Sequence, residues 1–236
     1  MNILNELLKK LGLKKGHTKG TSLSSEEVLA AVFQSDLQNL QETREQLDKH
    51  AFAMAVEMVL SAKTIYVLGV RSCESLAGFL GFYLNMMFEQ VKVIQTNSPS
   101  EILEQILRIG KEDVLIGISF PRYSMHTLKA MEYANNQNAK VIAITDSTHS
   151  PMNLYSSCNL IAKSELASVL DSLTAPYCVI NALIVALCLK RETQMTNYLT
   201  ALDQIWDEYQ TYSSEELNQA DHHIELWQAH KENTHE

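Results

Sequence analysis

The chain has little of what would make it loop-rich, cross-linked or membrane-bound. Its 236 residues include only four prolines and eight glycines, too few for a low-complexity chain or one built from many tight turns. Four cysteines (Cys73, Cys158, Cys178 and Cys188) form no CxxC pair, and the last two stand in an apolar run. A disulfide framework is therefore not expected, and the thiols read as reduced, in a cytoplasmic protein. No apolar run reaches the roughly 20 residues that span a bilayer. The most apolar one, Tyr177 to Leu189, is shorter and contains Asn181; it reads as a core helix or a homodimer seam, with no membrane partner. A signal-peptide pattern is missing too, because charge follows the first short apolar run at once instead of preceding it. Positive charge is scarce: 19 Lys and Arg against 28 Asp and Glu give a net charge of −9, which excludes nucleic-acid binding through a general basic surface. The exception is the N-terminal stretch, where Lys9, Lys10, Lys14, Lys15, His17 and Lys19 face the single acid Glu6.

What is present is an alternation of short β-branched runs and helical patterns. After an N-terminal helix and a Lys/Gly/Thr/Ser linker, Lys14 to Ser22, a capping box Ser24-x-x-Glu27 opens a helical region reaching Met58-Val59-Leu60, read as two helices. Strands are then predicted at Thr64–Leu68, Val91–Gln95, Asp113–Ile118, Lys140–Thr145 and Asn159–Ala162. The helices predicted between them are Leu76–Phe88, Pro99–Ile109 and Met125–Asn135, and long helices at about 168–192 and 196–211 close the fold before a polar, His-rich tail. Runs such as Val114-Leu-Ile-Gly-Ile118 are continuous rather than alternating, as in a parallel sheet covered on both faces. The expected fold is α/β, an open five-stranded doubly wound sheet with helical extensions at both ends. Ligands bind such sheets outside the carboxyl ends of the strands, at the switch point of the strand order.

Two turns fall at those ends: Gly69-Val70-Arg71-Ser72-Cys73-Glu74-Ser75 and Ser119-Phe120-Pro121-Arg122-Tyr123-Ser124. Each places one arginine and several hydroxyl side chains just before a helix. Helix N-termini favour anions through free N–H groups and their dipole, and an arginine fork with hydroxyl donors adapts such a site to phosphate. Arg71 and Arg122 are thus read together as one phosphate site, completed by Ser72, Ser119 and Ser124. The serines are equally suited to plain helix caps, and Tyr123 either packs over a ligand or covers its turn. Ser75, Asp171 and Ser172 are further candidates, the last two equally readable as a cap and a first-turn acid. The histidines His222, His223, His230 and His235 lie in a polar tail without a ligand frame, so neither metal nor cofactor is expected.

These turns, in order with Val141-Ile-Ala-Ile-Thr-Asp146-x-x-x-Ser150-Pro151, resemble the sugar isomerase (SIS) domain, and more narrowly that of RpiR/MurR-type bacterial transcription regulators. The stretch Asp36-Leu-Gln-Asn-Leu-Gln-Glu-Thr43 is similar to the helix leading into that domain. The resemblance spans roughly Glu27 to Lys190. It implies a flavodoxin-like sheet binding a phosphorylated sugar in a homodimer or tetramer, and an N-terminal helix-turn-helix domain as the only route to DNA. The chain begins about where that domain should end, so the expected organisation is a remnant helix and linker (1–23), a helical lead-in (24–60), the SIS domain (61–192), and C-terminal helices with the tail (193–236). The family's first loop usually reads GxGxS and its second SxSGxT. Here Arg71 stands at a glycine and Cys73 at the ligand-contacting serine, while Pro121 replaces the second serine and Arg122 the glycine. The resemblance thus implies a sugar-phosphate effector held by Arg71, Ser72, Cys73, Ser119, Arg122, Tyr123 and Ser124. It leaves two alternatives open: a phosphosugar isomerase, with His126, Glu165 or Glu74 as its base, and an interaction subunit without a ligand.

Overall fold

The computed structural model describes residues 24–167 and 170–209; the N-terminal helix, the basic linker and the His-rich tail lie outside them. Of the described residues, those through Lys190 belong to one compact unit and those from Arg191 to another. In the first unit five parallel strands, β1 (Ile65–Gly69), β2 (Val91–Ile94), β3 (Val114–Ile118), β4 (Lys140–Thr145) and β5 (Cys158–Ile161), pair in the order β2-β1-β3-β4-β5. All five fall within a residue or so of the segments predicted for them. Every residue of β1 and β3 is buried, whereas edge strand β2 exposes Lys92. Continuous apolar runs in the middle and a charged edge are what a sheet covered on both faces requires.

Helices α1 (Ser25–Gln46), α2 (Lys49–Leu60), α3 (Glu74–Met87), α4 (Pro99–Ile106), α5 (Met125–Asn136) and α6 (Thr174–Lys190) complete this unit. The capping box read from the sequence is made: Glu27 N–H donates to Ser24 Oγ at 3.2 Å and Ser24 N–H to Glu27 Oε2 at 2.8 Å. Helix α3 lies against β2 so closely that a Cβ at Gly81 would stand 2.1 Å from Val93 Cγ2. Helix α6 buries Val179, Ile180, Leu183, Ile184 and Leu187, which places one face of the most apolar run in the core, while Val185 and Leu189 are each more than half exposed. The second unit is described through one helix, α7 (Glu192–Tyr209). No single helix among the described residues is long and apolar enough to cross a membrane.

One expectation fails between β5 and α6. The helix predicted from about 168 begins only at Thr174, and ahead of it Glu165–Ala167 (β6) and Leu170–Asp171 (β7) pair as a small antiparallel ribbon. The reason is tertiary. Helix α1 presents a polar stripe to this segment: Ser35 Oγ and Asn39 Nδ2 donate to the Glu165 carbonyl at 3.2 and 2.7 Å, and Thr43 Oγ1 accepts from Lys163 N–H at 2.9 Å. Asp36 accepts from Ser172 Oγ at 2.5 Å and from Thr174 Oγ1 at 2.8 Å. Backbone groups at 163 and 165 are thereby held by side chains, and the apolar content of the segment does not decide its conformation. The same docking turns the apolar stripe of α1 outward, leaving Leu29, Phe33 and Leu37 each more than half exposed. Asn39→Ala is therefore expected to cost about 1–3 kcal/mol in denaturant unfolding, and Phe33→Ser less than about 0.5 kcal/mol, the reverse of the order that residue hydrophobicity suggests.

Candidate anion-binding site

The two arginine turns meet above the carboxyl ends of adjacent strands β1 and β3. Both strands turn through a left-handed residue, and that residue is the arginine in each case: φ is 59° at Arg71 and 59° at Arg122. For a side chain with a Cβ this conformation costs about 1–2 kcal/mol, and glycine is the usual occupant. Gly69 meets a different demand, because a Cβ there would lie 2.4 Å from the Cys73 carbonyl oxygen. The first turn therefore needs glycine for space at 69 and tolerates arginine under strain at 71. Strained non-glycine residues concentrate at ligand sites.

A cavity of about 330 Å³ opens between the turns, with Arg71, Ser72, Cys73, Ser119, Arg122 and Ser124 among its lining residues. Six predicted ligand residues are thus brought to one place. Asp171, a further candidate, joins them with Leu170 from β7. A second cavity of about 410 Å³ adjoins the first, shares Val70, Arg71 and Ser124 with it, and is lined as well by Asn97, Tyr123, Met125 and His126.

The serines divide their hydrogen bonds in a way that leaves protons for a ligand. Ser124 caps α5, its Oγ accepting from His126 N–H at 3.2 Å and Thr127 N–H at 3.4 Å. Buried Ser119 accepts from Ser124 N–H at 3.0 Å through Oγ. Both oxygens use acceptor capacity on the backbone, and each hydroxyl proton remains able to donate into the cavity. The capping and binding readings of Ser124 are therefore compatible.

Other candidates are placed differently. Ser75 does not line the cavity; its hydroxyl donates to the Ser72 carbonyl at 2.9 Å. Ser172 is buried, donates to Asp36 and accepts from Thr174 N–H at 3.2 Å, so its hydroxyl is spent on the entry to α6. Tyr123 lies outside the first cavity, its ring packs on the core, and its hydroxyl donates to Asp146 Oδ1 at 2.8 Å. Beyond it the third motif is knitted together: Thr145 Oγ1 lies 2.9 Å from Ser150 Oγ, which accepts from Met152 N–H at 3.3 Å. Of the three groups considered as bases, Glu74 and Glu165 line neither cavity, and His126 lines the second.

Burial pushes the Cys73 thiol up, and the Asp171 carboxylate adds to the rise, against hydrogen bonds from the Phe120 backbone and Ser72. Cys73 thus stays a neutral thiol near neutral pH, its sulfur accepting from the Phe120 backbone of the other turn. Sequence reasoning did not single out Asn97. The signal was present in Thr96-Asn97-Ser98, a polar stretch at the carboxyl end of β2.

A protein-family model described as the SIS domain matches residues 58–186, more than half of the chain. No curated protein matches it. Among solved structures, the sugar isomerase domain of an RpiR transcription factor from Sphaerobacter thermophilus is similar over 75% of this chain and 99% of that one, with a TM-score of 0.72 and 25% identity. The Vibrio vulnificus NanR protein complexed with ManNAc-6P is similar over 78% of this chain and 70% of that one (TM-score 0.66, 17% identity). Phosphoheptose isomerase GmhA from Neisseria gonorrhoeae is similar over 70% of this chain and 99% of that one (TM-score 0.61, 17% identity).

Two outcomes test the geometry. Because residue 71 is left-handed, Arg71→Gly is expected to be more stable than Arg71→Ala by about 1 kcal/mol, read from denaturant midpoints. Burial first, then the hydrogen bond to Asp146 and its charge, push the Tyr123 phenol up from 10.0 to about 12. Its folded value lies above its unfolded one, so the associated stability is complete below pH 10 and is lost as pH rises towards 12. Tyr123→Phe is expected to flatten that alkaline loss, and ultraviolet titration should show a late-ionising tyrosine in the wild type that the variant lacks.

Proposed function

Since this chain belongs to the SIS domain family, we propose that its paired arginine turns hold the phosphate of a phosphorylated sugar or amino sugar, and that the domain is the effector sensor of an RpiR-type transcription regulator. The observation that carries this reading is the convergence of Arg71 and Arg122, both held in a left-handed backbone conformation, on one cavity with Ser119 and Ser124. Two guanidinium forks supply planar, permanently charged donors, and the serine hydroxyls add neutral ones. The α5 N-terminus beside Ser124 contributes its dipole. Asp171 at the rim suits a ligand that carries hydroxyl or amine donors beyond its phosphate.

Two of the similar structures support this reading, one an RpiR transcription factor and the other a NanR protein complexed with ManNAc-6P. The placement of the two candidate carboxylates supports it as well. Aldose–ketose interconversion needs a group positioned to take a proton beside the carbonyl; Glu74 and Glu165 lie outside both cavities, and of the three candidates only His126 lines one, the second. Binding would act by favouring one arrangement of subunits, and through the N-terminal linker one arrangement of a DNA-reading domain.

The test is a thermal-shift panel of pentose, hexose and amino-sugar phosphates against wild type and Arg122→Ala. At least one phosphosugar is expected to raise the melting temperature of the wild type while its unphosphorylated sugar does not. Arg122→Ala is expected to abolish most of that shift. A flat panel, or an unchanged shift in the variant, refutes the phosphate site. Turnover of a phosphosugar would instead favour the isomerase.

A further inference from the structure

Arg71 needs more than a turn to aim its guanidinium. Its left-handed backbone is disfavoured for any side chain with a Cβ, so something must hold the chain there. The peptide unit between Val70 and Arg71 is pinned at both ends. Its carbonyl accepts from Cys73 N–H at 3.2 Å, and its N–H donates to Asn97 Oδ1 at 3.2 Å. Fixing the plane of that peptide fixes the N–Cα bond of residue 71, and with φ at 59° this sets the direction in which Cα71 projects its side chain.

Asn97 is itself braced. On one side of it Thr96 Oγ1 donates to Glu101 Oε2 at 2.6 Å, and on the other Ser98 N–H donates to Thr96 Oγ1 at 3.1 Å. The brace ties the turn after β2 to the first turn of α4, where Pro99 and Glu101 stand. Asn97 thus reaches Arg71 from a separate strand and helix, across the second cavity that both residues line. The Arg122 turn has its own closure, Ser119 Oγ accepting from Ser124 N–H across it. The two turns solve one problem by different means: the backbone N–H of the first arginine is held by a side chain that follows β2, whereas the second turn is closed by its own serine.

We infer that Asn97 is the positioning residue for Arg71: its side-chain carbonyl holds the left-handed peptide that aims the guanidinium at the anion. This rests on the sugar-phosphate reading and names the residue outside both arginine turns on which that site depends. The effect is transmitted through Arg71, so it falls on the phosphate part of any ligand.

A double-mutant cycle decides it. Inorganic phosphate and a hexose 6-phosphate are titrated into the wild-type chain, Asn97→Ala, Arg71→Ala and the double variant. Asn97→Ala is expected to weaken both ligands by a common factor of about 3- to 10-fold, the worth of one hydrogen bond. In the Arg71→Ala background the same substitution is expected to change neither affinity. Unchanged affinity in Asn97→Ala overturns the inference. A loss of equal size in the Arg71→Ala background also overturns it, because Asn97 then acts without Arg71. A loss confined to the hexose phosphate does the same, by making Asn97 a contact to the sugar. Absence of any binding by the wild type removes the sugar-phosphate reading and this inference together, an outcome distinct from binding that ignores Asn97.

Discussion

The constraint on which this molecule turns is the abrupt exit of the chain from β1 and β3. In each case the backbone must pass through a left-handed residue before it enters the next helix, and both residues are arginines with φ of 59°. Placed in neighbouring strands of a parallel sheet, the two exits face one another. The sheet supplies the position, the exits supply the backbone geometry, and the side chains at those exits supply the charge. Glycine would satisfy the first two demands at lower conformational cost. Arginine adds a fixed cation at the point where the chain comes nearest to a ligand, so local strain is exchanged for electrostatics.

Around these turns the structure spends its polar side chains on holding backbone in place. Ser124 and Ser119 secure the second turn, Asn97 the first, and Tyr123 with Asp146 ties the second turn to the end of β4. The lead-in helix works the same way at longer range. Ser35, Asp36, Asn39 and Thr43 grip the segment from Lys163 to Thr174, and that grip sets Leu170 and Asp171 at the edge of the cavity. A helix whose outer stripe is apolar and whose docked stripe is polar inverts the usual amphipathic arrangement. Its inward orientation is decided by hydrogen bonds, several of them part-buried, whose loss leaves unpaired groups behind.

Local pattern revealed a good deal of this. Continuous runs such as Val114–Ile118 and Val141–Thr145 announced buried parallel strands because both faces of such strands are apolar. The capping box at Ser24 and the serine before Met125 marked helix starts through a mechanism confined to four residues. Arg71 and Arg122 stood out since cations and hydroxyls at strand-to-helix turns have a common use. Ser75, Ser172 and Tyr123 were not separable from them by residue type. A serine hydroxyl that feeds a carbonyl, as at Ser75, carries the same letter as one that lines the cavity.

By itself, then, the sequence determined the five strands of the sheet, their burial, the capped starts of α1 and α5 and the pairing of two cationic turns, because each depends on neighbours within a few residues. Tertiary structure decided the rest. It replaced the start of a predicted helix with the β6–β7 ribbon, since the groups that hold that segment lie about 130 positions earlier in α1. It brought Asn97 to Arg71 across 26 positions, committed Ser172 to Asp36, and turned Leu29, Phe33 and Leu37 outward. Hydrogen bonds between distant segments leave no periodic trace in a chain, and only folding makes those partners neighbours.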